Sequence, residues 1–205
     1  MAIQTVPQRK NNGNTLARAM LEWAGWKCNF DGLPEGCGVV ITYPHTSNWD
    51  FPVGILAKWV MGMRASYLTK DSLFRVPLVG RFMRYTGGIP VDRSSSHGLI
   101  PRMAGLLRQA RERGEAMWLA VAPEGTRTYR PYWHSGFYHI ALQAEVPLGL
   151  AYFDWVHHEV GLTEFLALTG DESADMARIA AYYAERGAGR HPENAAPVRF
   201  STERE

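Results

Sequence analysis

Residues 38–63 constrain the fold most, because a short apolar run and a longer one flank a single turn. Gly38–Tyr43 is apolar and follows a glycine-rich turn, which predicts a short buried β-strand. Residues 51–63 are apolar on nearly every side, which predicts a helix packed into the core. A strand leading directly into a helix is typical of an α/β sheet with helices packed against it.

Two residues with acid–base chemistry, His45 and Asp50, lie at this turn. On one continuous helix, five positions correspond to a rotation of roughly 140°, which would point the two side chains apart. With His45 in the loop and Asp50 in the first helical turn, the carboxylate can hold one imidazole nitrogen while the other faces a hydroxyl. Two plainer interpretations remain open: Asp50 forms a capping box with Ser47, or His45 is a packed loop residue.

The remaining sequence alternates between strand-like and helix-like segments. Further strands are predicted at 65–69, 87–93, 117–121, 146–153 and 156–162. Further helices are predicted at 15–26, in short pieces broken at Pro77 and Gly80 over 70–85, and at 97–113, 135–144 and 171–186. This order predicts a single α/β domain with a mixed, largely parallel β-sheet flanked by helices.

The expected domain spans residues 15–187, between a polar lead (1–14) and a polar, weakly ordered tail (188–205). Thr15 is the predicted cap of the first helix, which has Leu16, Met20 and Trp23 on one face. That face packs against the core or, as the alternative, anchors the protein at a membrane interface.

The composition excludes several classes of protein. The best apolar segment, 51–63, is too short to span a bilayer, which takes about 20 residues, and the polar first residues predict no secretory signal. The two cysteines and seven histidines have no metal-ligand spacing, so we expect no metal and no cofactor. The sequence has seven tryptophans, a residue that favours sites where one end of the ring is buried and the other hydrated, such as a membrane interface. We therefore expect a cytoplasmic protein that is peripheral on the cytoplasmic face of a membrane.

The net charge of +2 is unevenly distributed. Residues 58–130 contain 13 Lys and Arg against 5 Asp and Glu, whereas residues 131–205 contain 5 against 11. The basic middle predicts an anionic substrate or an anionic membrane surface. Nucleic acid is not an expected partner, because the basic residues are spread through apolar segments and no reading module is recognisable.

Three predicted strands end in loops with polar side chains, which contain His45 and Asp50, then Asp92 and Arg93, then Glu124 to Arg127. Ligand sites in open α/β sheets gather at the carboxyl ends of strands, so we expect these loops at one edge. Arginine is suited to binding phosphate through two parallel hydrogen bonds, although ordinary salt bridges within these loops are the alternative.

Four segments resemble, in order and spacing, the four motifs of the glycerophosphate and lysophosphatidate acyltransferase family: His45–Asp50, Gly88–Arg93, Pro123–Arg127 and Val146–Pro147. The resemblance covers roughly residues 38–155. It implies transfer of a fatty acyl group from acyl-CoA or acyl carrier protein to the hydroxyl of a lysophospholipid at a membrane surface. Lysophosphatidate is the expected acceptor. Pro44 replaces the usual Asn, and Gly87–Val91 replaces a bulkier run, so a lyso-aminolipid or another hydroxylated lipid remains open.

The resemblance also implies the role of each matching residue. His45 and Asp50 are the expected catalytic pair, and Pro147 is expected to shape the site. The expected acceptor- and phosphate-binding residues are Arg93, Glu124, Gly125, Thr126 and Arg127. Because a carboxylate repels phosphate, two roles are open for Glu124: accepting a hydrogen bond from a glycerol hydroxyl, or holding an arginine in place. Gly125 is expected to allow a close backbone approach or a positive φ.

The residue chemistry agrees with this assignment. An alcohol is a weak nucleophile, so a neutral imidazole has to take its proton during attack on the thioester, a contribution of roughly 10²–10⁴-fold. Backbone N–H groups at the helix start after Ser47 are candidates for stabilising the oxyanion. Two other functions remain open: a hydrolase that uses the same pair on water, and a non-catalytic lipid-binding module.

Overall fold

The computed structural model describes residues 13–91 and 98–201. The helices are α1 (Thr15–Trp23), α2 (Asp50–Val60), α3 (Pro77–Tyr85), α4 (Leu99–Glu112), α5 (Gly136–Ala144) and α6 (Glu172–Ala184). The strands are β1 (Lys27–Phe30), β2 (Cys37–Tyr43), β3 (Ala65–Lys70), β4 (Gly88–Val91), β5 (Met117–Val121), β6 (Leu148–Asp154) and β7 (Glu159–Leu166). Short 3₁₀ segments lie at Asp71–Arg75 and Pro192–Asn194.

Within these residues the seven strands form one sheet in the order β1-β7-β6-β2-β5-β3-β4. All neighbouring pairs are parallel except β6 and β7, which form an antiparallel pair. Ile41 in β2 pairs with Val121 of β5 and with Leu150 of β6. The carboxyl ends of these three strands therefore meet at one edge, and the predicted mixed, largely parallel sheet is confirmed.

Helices cover both faces of the sheet and bury two apolar cores. On one face, α4, α5 and α6 pack against strand residues such as Ile41 and Leu119. On the other face, α1 and α2 pack against Trp118, Phe153 and Phe165. The ring of Phe82 in α3 lies 6.4 Å from that of Phe51, so α3 flanks α2 on this second face. Helix α2, which begins at Asp50, lies on this second face.

Helix α1 differs from the sequence prediction in its cap, its end and its buried face. The side chain of Asn14, and not of Thr15, accepts the capping hydrogen bond, from the amide of Ala17 at 3.0 Å. The helix ends at Trp23, and the short strand β1, which the sequence did not predict, follows. Ala17 and Leu21 pack into the core, whereas the predicted apolar face of Leu16, Met20 and Trp23 is exposed.

Two further regions differ in part from prediction. Over 70–85 the predicted break at Pro77 is confirmed, because the 3₁₀ segment ends before it and α3 begins at it, where its missing amide costs nothing, whereas Gly80 lies within α3 and does not break it. A Cβ on Gly80 would lie 2.5 Å from the carbonyl oxygen of Phe74, so the glycine allows α3 to close against the preceding 3₁₀ turn. His157 and His158 lie in the turn between β6 and β7, and not in a strand.

Candidate active site

The loop between β2 and α2 brings His45 and Asp50 together, as their spacing predicted. Nδ1 of His45 lies 3.1 Å from Oδ2 of Asp50. The imidazole nitrogen is not aligned with this oxygen well enough for a hydrogen bond. Contacts of this kind are often poorly aligned before substrate binds and tighten in the complex. The pair therefore has the distance, but not yet the alignment, of an imidazole oriented by a carboxylate.

Asp50 is fixed by two donors besides its contact with the imidazole. The amide of Ser47 donates to Oδ2 at 2.9 Å, and the indole Nε1 of Trp155 donates to Oδ1 at 2.8 Å. Only 1% of Asp50 is exposed to solvent. The predicted capping box is not complete, because the N-cap of α2 is Trp49 and Ser47 Oγ accepts from the amide of Trp49 at 3.2 Å, but the Asp50 carboxylate does bond back to the amide of Ser47 while it contacts His45.

Glu124, which follows β5, is buried beneath the His45 loop. Its Oε2 accepts a hydrogen bond from the amide of His45 at 2.6 Å, and its Oε1 accepts one from the amide of Ala196 at 3.1 Å. With 1% exposure and both oxygens bonded to the backbone, this carboxylate holds two chain segments together. Burial raises its pKa, and the two amides and the nearby imidazole oppose that shift.

The segment after α6 is folded against the site, so the expectation of a weakly ordered tail is wrong for residues 188–201. The amide of His191 donates to Oγ1 of Thr46 at 3.2 Å, and the amide of Trp155 donates to the carbonyl of Ala188 at 2.8 Å. Ala196 is buried, and Tyr43 donates its hydroxyl to the Ala196 carbonyl at 2.8 Å. Burial, together with the Glu124 carboxylate, raises the pKa of Tyr43 to about 12.

An open cleft of about 360 Å³ lies beside the turn. Its walls come from three parts of the chain: Thr46, Ser47, Asn48 and Trp49 of the turn, Arg127 of the loop after β5, and Arg190 and His191 of the C-terminal segment. The structure therefore brings the predicted Arg127 next to the turn that contains His45 and Asp50. Two guanidinium groups in one open cleft give it a positive charge.

The glycine and threonine before Arg127 shape its loop. Gly125 has a φ of 67°, and a Cβ there would meet Cδ2 of His134 at 3.0 Å. The structure thus has both features expected of Gly125, a positive φ and a close approach. Oγ1 of Thr126 accepts a hydrogen bond from the Thr128 amide at 3.3 Å and lies 3.1 Å from the Thr128 hydroxyl. These contacts turn the loop so that Arg127 reaches the cleft.

Pro147 is not at the cleft. It precedes β6, and its carbonyl accepts a hydrogen bond from the amide of Val39 at 3.0 Å, at the opposite edge of the sheet from His45. The four strand steps from Val39 to Tyr43, at roughly 3.3 Å each, put it about 13 Å from the end of β2 after which His45 lies. Any effect of Pro147 on the site is therefore indirect. Arg93, with Asp92, lies outside the described residues.

The helix start offers less for an oxyanion than the sequence predicted. The amides of Ser47 and Trp49 donate to side chains within the turn. Those of Asp50 and Phe51 donate to the carbonyls of Ser47 and Asn48 at 3.3 Å. These four N–H groups are already bonded, so they are not available to an oxyanion as the turn is arranged, whereas the amide of Asn48, which lines the cleft, is not among the bonded groups of the described turn.

The predicted basic middle does not form one surface. Arg108 and Arg111 of α4 donate to carbonyls at the end of α5, on the far face of the sheet. Arg75 pairs with Asp71 at 2.8 Å. Arg127 lines the cleft instead. The charge excess of 58–130 thus divides between structural contacts and the site. Across the described ranges, no cluster of three or more His, Cys, Asp or Glu side chains has a metal-binding arrangement.

Two residues of the site were missed by sequence reasoning. Trp155, which bonds to Asp50, directly follows β6, and the rule that ligand sites lie at carboxyl ends of strands was the one signal for it. Arg190 lies in a polar segment with no motif or periodicity, so nothing local distinguished it from a solvated arginine.

Comparisons with known proteins agree with this geometry. A family model described as Acyltransferase matches residues 27–149. An uncharacterized acyltransferase of Schizosaccharomyces pombe is 35% identical over 138 residues, covering 65% of this chain and 48% of that protein. A 1-acyl-sn-glycerol-3-phosphate acyltransferase of Saccharomyces cerevisiae is 34% identical over 85 residues, covering 38% of this chain and 27% of that protein.

Among solved structures, the 1-acyl-sn-glycerophosphate acyltransferase PlsC of Thermotoga maritima has a similar fold, with a TM-score of 0.56 and 20% identity. The match covers 83% of this chain and 73% of that one. By contrast, this chain aligns with half or less of the length of the two yeast proteins.

Proposed function

This chain belongs to the acyltransferase family, and from that premise we propose that it transfers a fatty acyl group from a thioester donor to a lysophospholipid hydroxyl. The donor is acyl-CoA or acyl carrier protein, and the acceptor that the site favours is 1-acyl-glycerol-3-phosphate. The observation that carries the proposal is the 3.1 Å approach of His45 Nδ1 to a fixed, buried Asp50 carboxylate beside a cleft with two arginines.

The geometry supports His45 as a general base. With Nδ1 facing Asp50, Nε2 is the nitrogen left to accept the proton of the acceptor hydroxyl as its oxygen attacks the thioester carbon. The tetrahedral intermediate then breaks its carbon–sulfur bond, and the imidazolium returns the proton to the departing thiolate. The products are the new ester and the free thiol, and no acyl-enzyme is needed.

Arg127 is the proposed anchor for the acceptor phosphate. It is exposed in the cleft, and within the described part of the chain no carboxylate forms an ion pair with it. An arginine without a protein partner keeps its donors for a ligand, and a phosphate can accept two of them at once. We extend this role to Arg93 from the family motif alone.

We further propose that the face with α1 and α3 lies on a membrane. No helix within the described residues is long and apolar enough to cross one. Trp23 of α1 is 92% exposed and Leu78 of α3 is 83% exposed. The described parts of α4, α5 and α6 have no large apolar side chain of comparable exposure. Arg81 and Arg84 of α3 add positive charge, which suits anionic lipid.

The test is an acyl-transfer assay with purified protein, both donors and a panel of lysolipids, read by mass spectrometry. We expect acylated product only when an acceptor lipid is present, and His45→Ala should lower turnover by roughly 10²–10⁴-fold with an unchanged melting temperature. Release of free fatty acid at the same rate without acceptor would identify a hydrolase instead. Lipid binding without turnover would identify a binding module.

A further inference from the structure

We propose that Arg190, from the C-terminal segment, binds the anionic headgroup of the acceptor together with Arg127. This inference rests on the proposed function and names a residue outside the matched family region, which ends at residue 149. Both arginines line the same open cleft, together with residues 46–49 of the turn that follows His45.

Two tryptophan rings hold Arg190 in position. Its guanidinium carbon lies 4.9 Å from the ring centre of Trp155 and 5.7 Å from that of Trp49. Stacking of this kind restricts a long, flexible side chain while leaving the N–H donors, which lie in the guanidinium plane, free to bond. Arg190 is therefore preorganised at the cleft, which lowers the entropy cost of binding a ligand there.

Arg190 also has no carboxylate partner within the described ranges, although several other arginines do. Arg75 pairs with Asp71, Arg178 with Asp175 and Arg186 with Glu185. Two unpaired guanidinium groups facing one cleft repel each other unless an anion lies between them. A phosphate monoester, which accepts several charged hydrogen bonds, satisfies both.

The surroundings of Arg190 match an amphiphile more closely than a small anion. Trp49 and Arg190 line the polar cleft and also an apolar groove of about 370 Å³. The groove lies between α1 and α2 and is lined by apolar side chains such as Leu21, Val53 and Leu56. Arg190 thus lies where a charged headgroup would meet an acyl chain, which is the chemistry of a lysophosphatidate.

The backbone around Arg190 keeps this arrangement in register with the catalytic pair. Its neighbour His191 donates its amide to Thr46, next to His45, and Trp155 bonds to Asp50 while stacking on Arg190. A headgroup bound by Arg190 is therefore positioned relative to His45, because the residues that contact or adjoin Arg190 bond directly to the neighbours of His45 or to Asp50.

The experiment compares Arg190→Ala, Arg190→Lys and Arg186→Ala. Arg186 is the matched control, because it stacks on Tyr182 at 4.7 Å but does not line the cleft. We expect Arg190→Ala to raise the KM for lysophosphatidate roughly tenfold or more with little change in kcat. The KM of Arg190→Lys should lie between those of Arg190→Ala and the unaltered protein. The KM and kcat of Arg186→Ala should match those of the unaltered protein. A fall in kcat with an unchanged KM would overturn the proposal, since it would mean that Arg190 only supports Trp155 and Asp50.

A second measurement does not depend on turnover. Titration calorimetry with glycerol 3-phosphate should give about tenfold weaker binding for Arg190→Ala than for the unaltered protein or Arg186→Ala. Equal binding by all three proteins, or none by the unaltered protein, would refute the headgroup role. If the unaltered protein acylates no lysolipid but the binding difference is present, the proposed reaction fails and the assignment of Arg190 stands.

Discussion

Replacement of Glu124 by Gln separates a positioning role from the acceptor-binding role that the family motif implies. In the structure its two oxygens accept hydrogen bonds from the backbone amides of His45 and Ala196, with N···O distances of 2.6 and 3.1 Å. A glutamine keeps one acceptor oxygen and turns an NH₂ group toward the other amide. One buried N–H is then left without an acceptor, which costs about 1–3 kcal/mol.

That cost is large enough to measure by thermal unfolding. For a chain of 205 residues, each kcal/mol lowers the melting temperature by roughly 2–4 °C, so the expected decrease is roughly 2–12 °C. Glu112→Gln, on the exposed surface of α4, is the matched control and should change the melting temperature little. Because the His45 loop loses an anchor, kcat should fall as well. An unchanged melting temperature with a raised KM for the acceptor would refute the positioning role.

The same variant gives a pH test whose sign follows from burial. Burial raises the pKa of Glu124 above its ordinary value of 4.5, so the folded state holds this proton more tightly than the unfolded state. The stability that this shift contributes is fully present below pH 4.5 and is lost as the pH rises through the folded-state pKa. The difference in unfolding free energy between the unaltered protein and Glu124→Gln should therefore narrow as the pH rises from 4.5 toward neutrality. A difference that widens over that range would contradict the assigned direction.

Two further substitutions test the cleft and the membrane face. Arg127→Ala should remove about 1.5–3 kcal/mol of charged hydrogen bonding, a rise of roughly 10- to 150-fold in the KM for lysophosphatidate, whereas a lower melting temperature alone would make the arginine structural. Leu78→Ser should lower the partition coefficient onto anionic vesicles by roughly tenfold or more in co-sedimentation, because burying a leucine contributes about 1.5–3 kcal/mol. Binding of the unaltered protein should weaken as salt rises, and absence of binding at low salt would count against the membrane face.

The local pattern of the sequence was sufficient to predict six of the seven strands, the mixed, largely parallel sheet they form, and the approach of His45 to Asp50. These follow from neighbouring residues: an apolar run gives β2, an apolar helix gives α2, and the short turn between them sets the distance. The missed contacts are nonlocal. Trp155 and Asp50 are separated by 105 positions, and His191 and Thr46 by 145. No periodicity in one sequence relates residues so far apart, since their contact depends on how the sheet is assembled.

Helix α1 and strand β1 illustrate a different limit. Leu16, Met20 and Trp23 form a helical stripe, but Ala17 and Leu21 form another, and the pattern alone does not decide which one packs. The small side chain of Ala17 lets α1 approach α2 closely, so the larger residues are left outside. β1 has only four residues and lies at the sheet edge, too short for a strand period to be recognised.

The buried Glu124 changes how the proposed catalytic and binding residues relate to one another. It joins the loop after β2 to the loop after β5 and, through Ala196, to the C-terminal segment. Arg127 follows it by three residues, and Arg190 precedes Ala196 by six. The proposed base, His45, and both proposed phosphate ligands are therefore linked through one carboxylate. Movement of any of the three segments would alter the distance between the acceptor hydroxyl and His45, and a misplacement of about 1 Å can cost on the order of 10²-fold in rate. On this reasoning Glu124 acts by fixing that distance through the two backbone amides it accepts, and not by contacting the phosphate of the proposed acceptor.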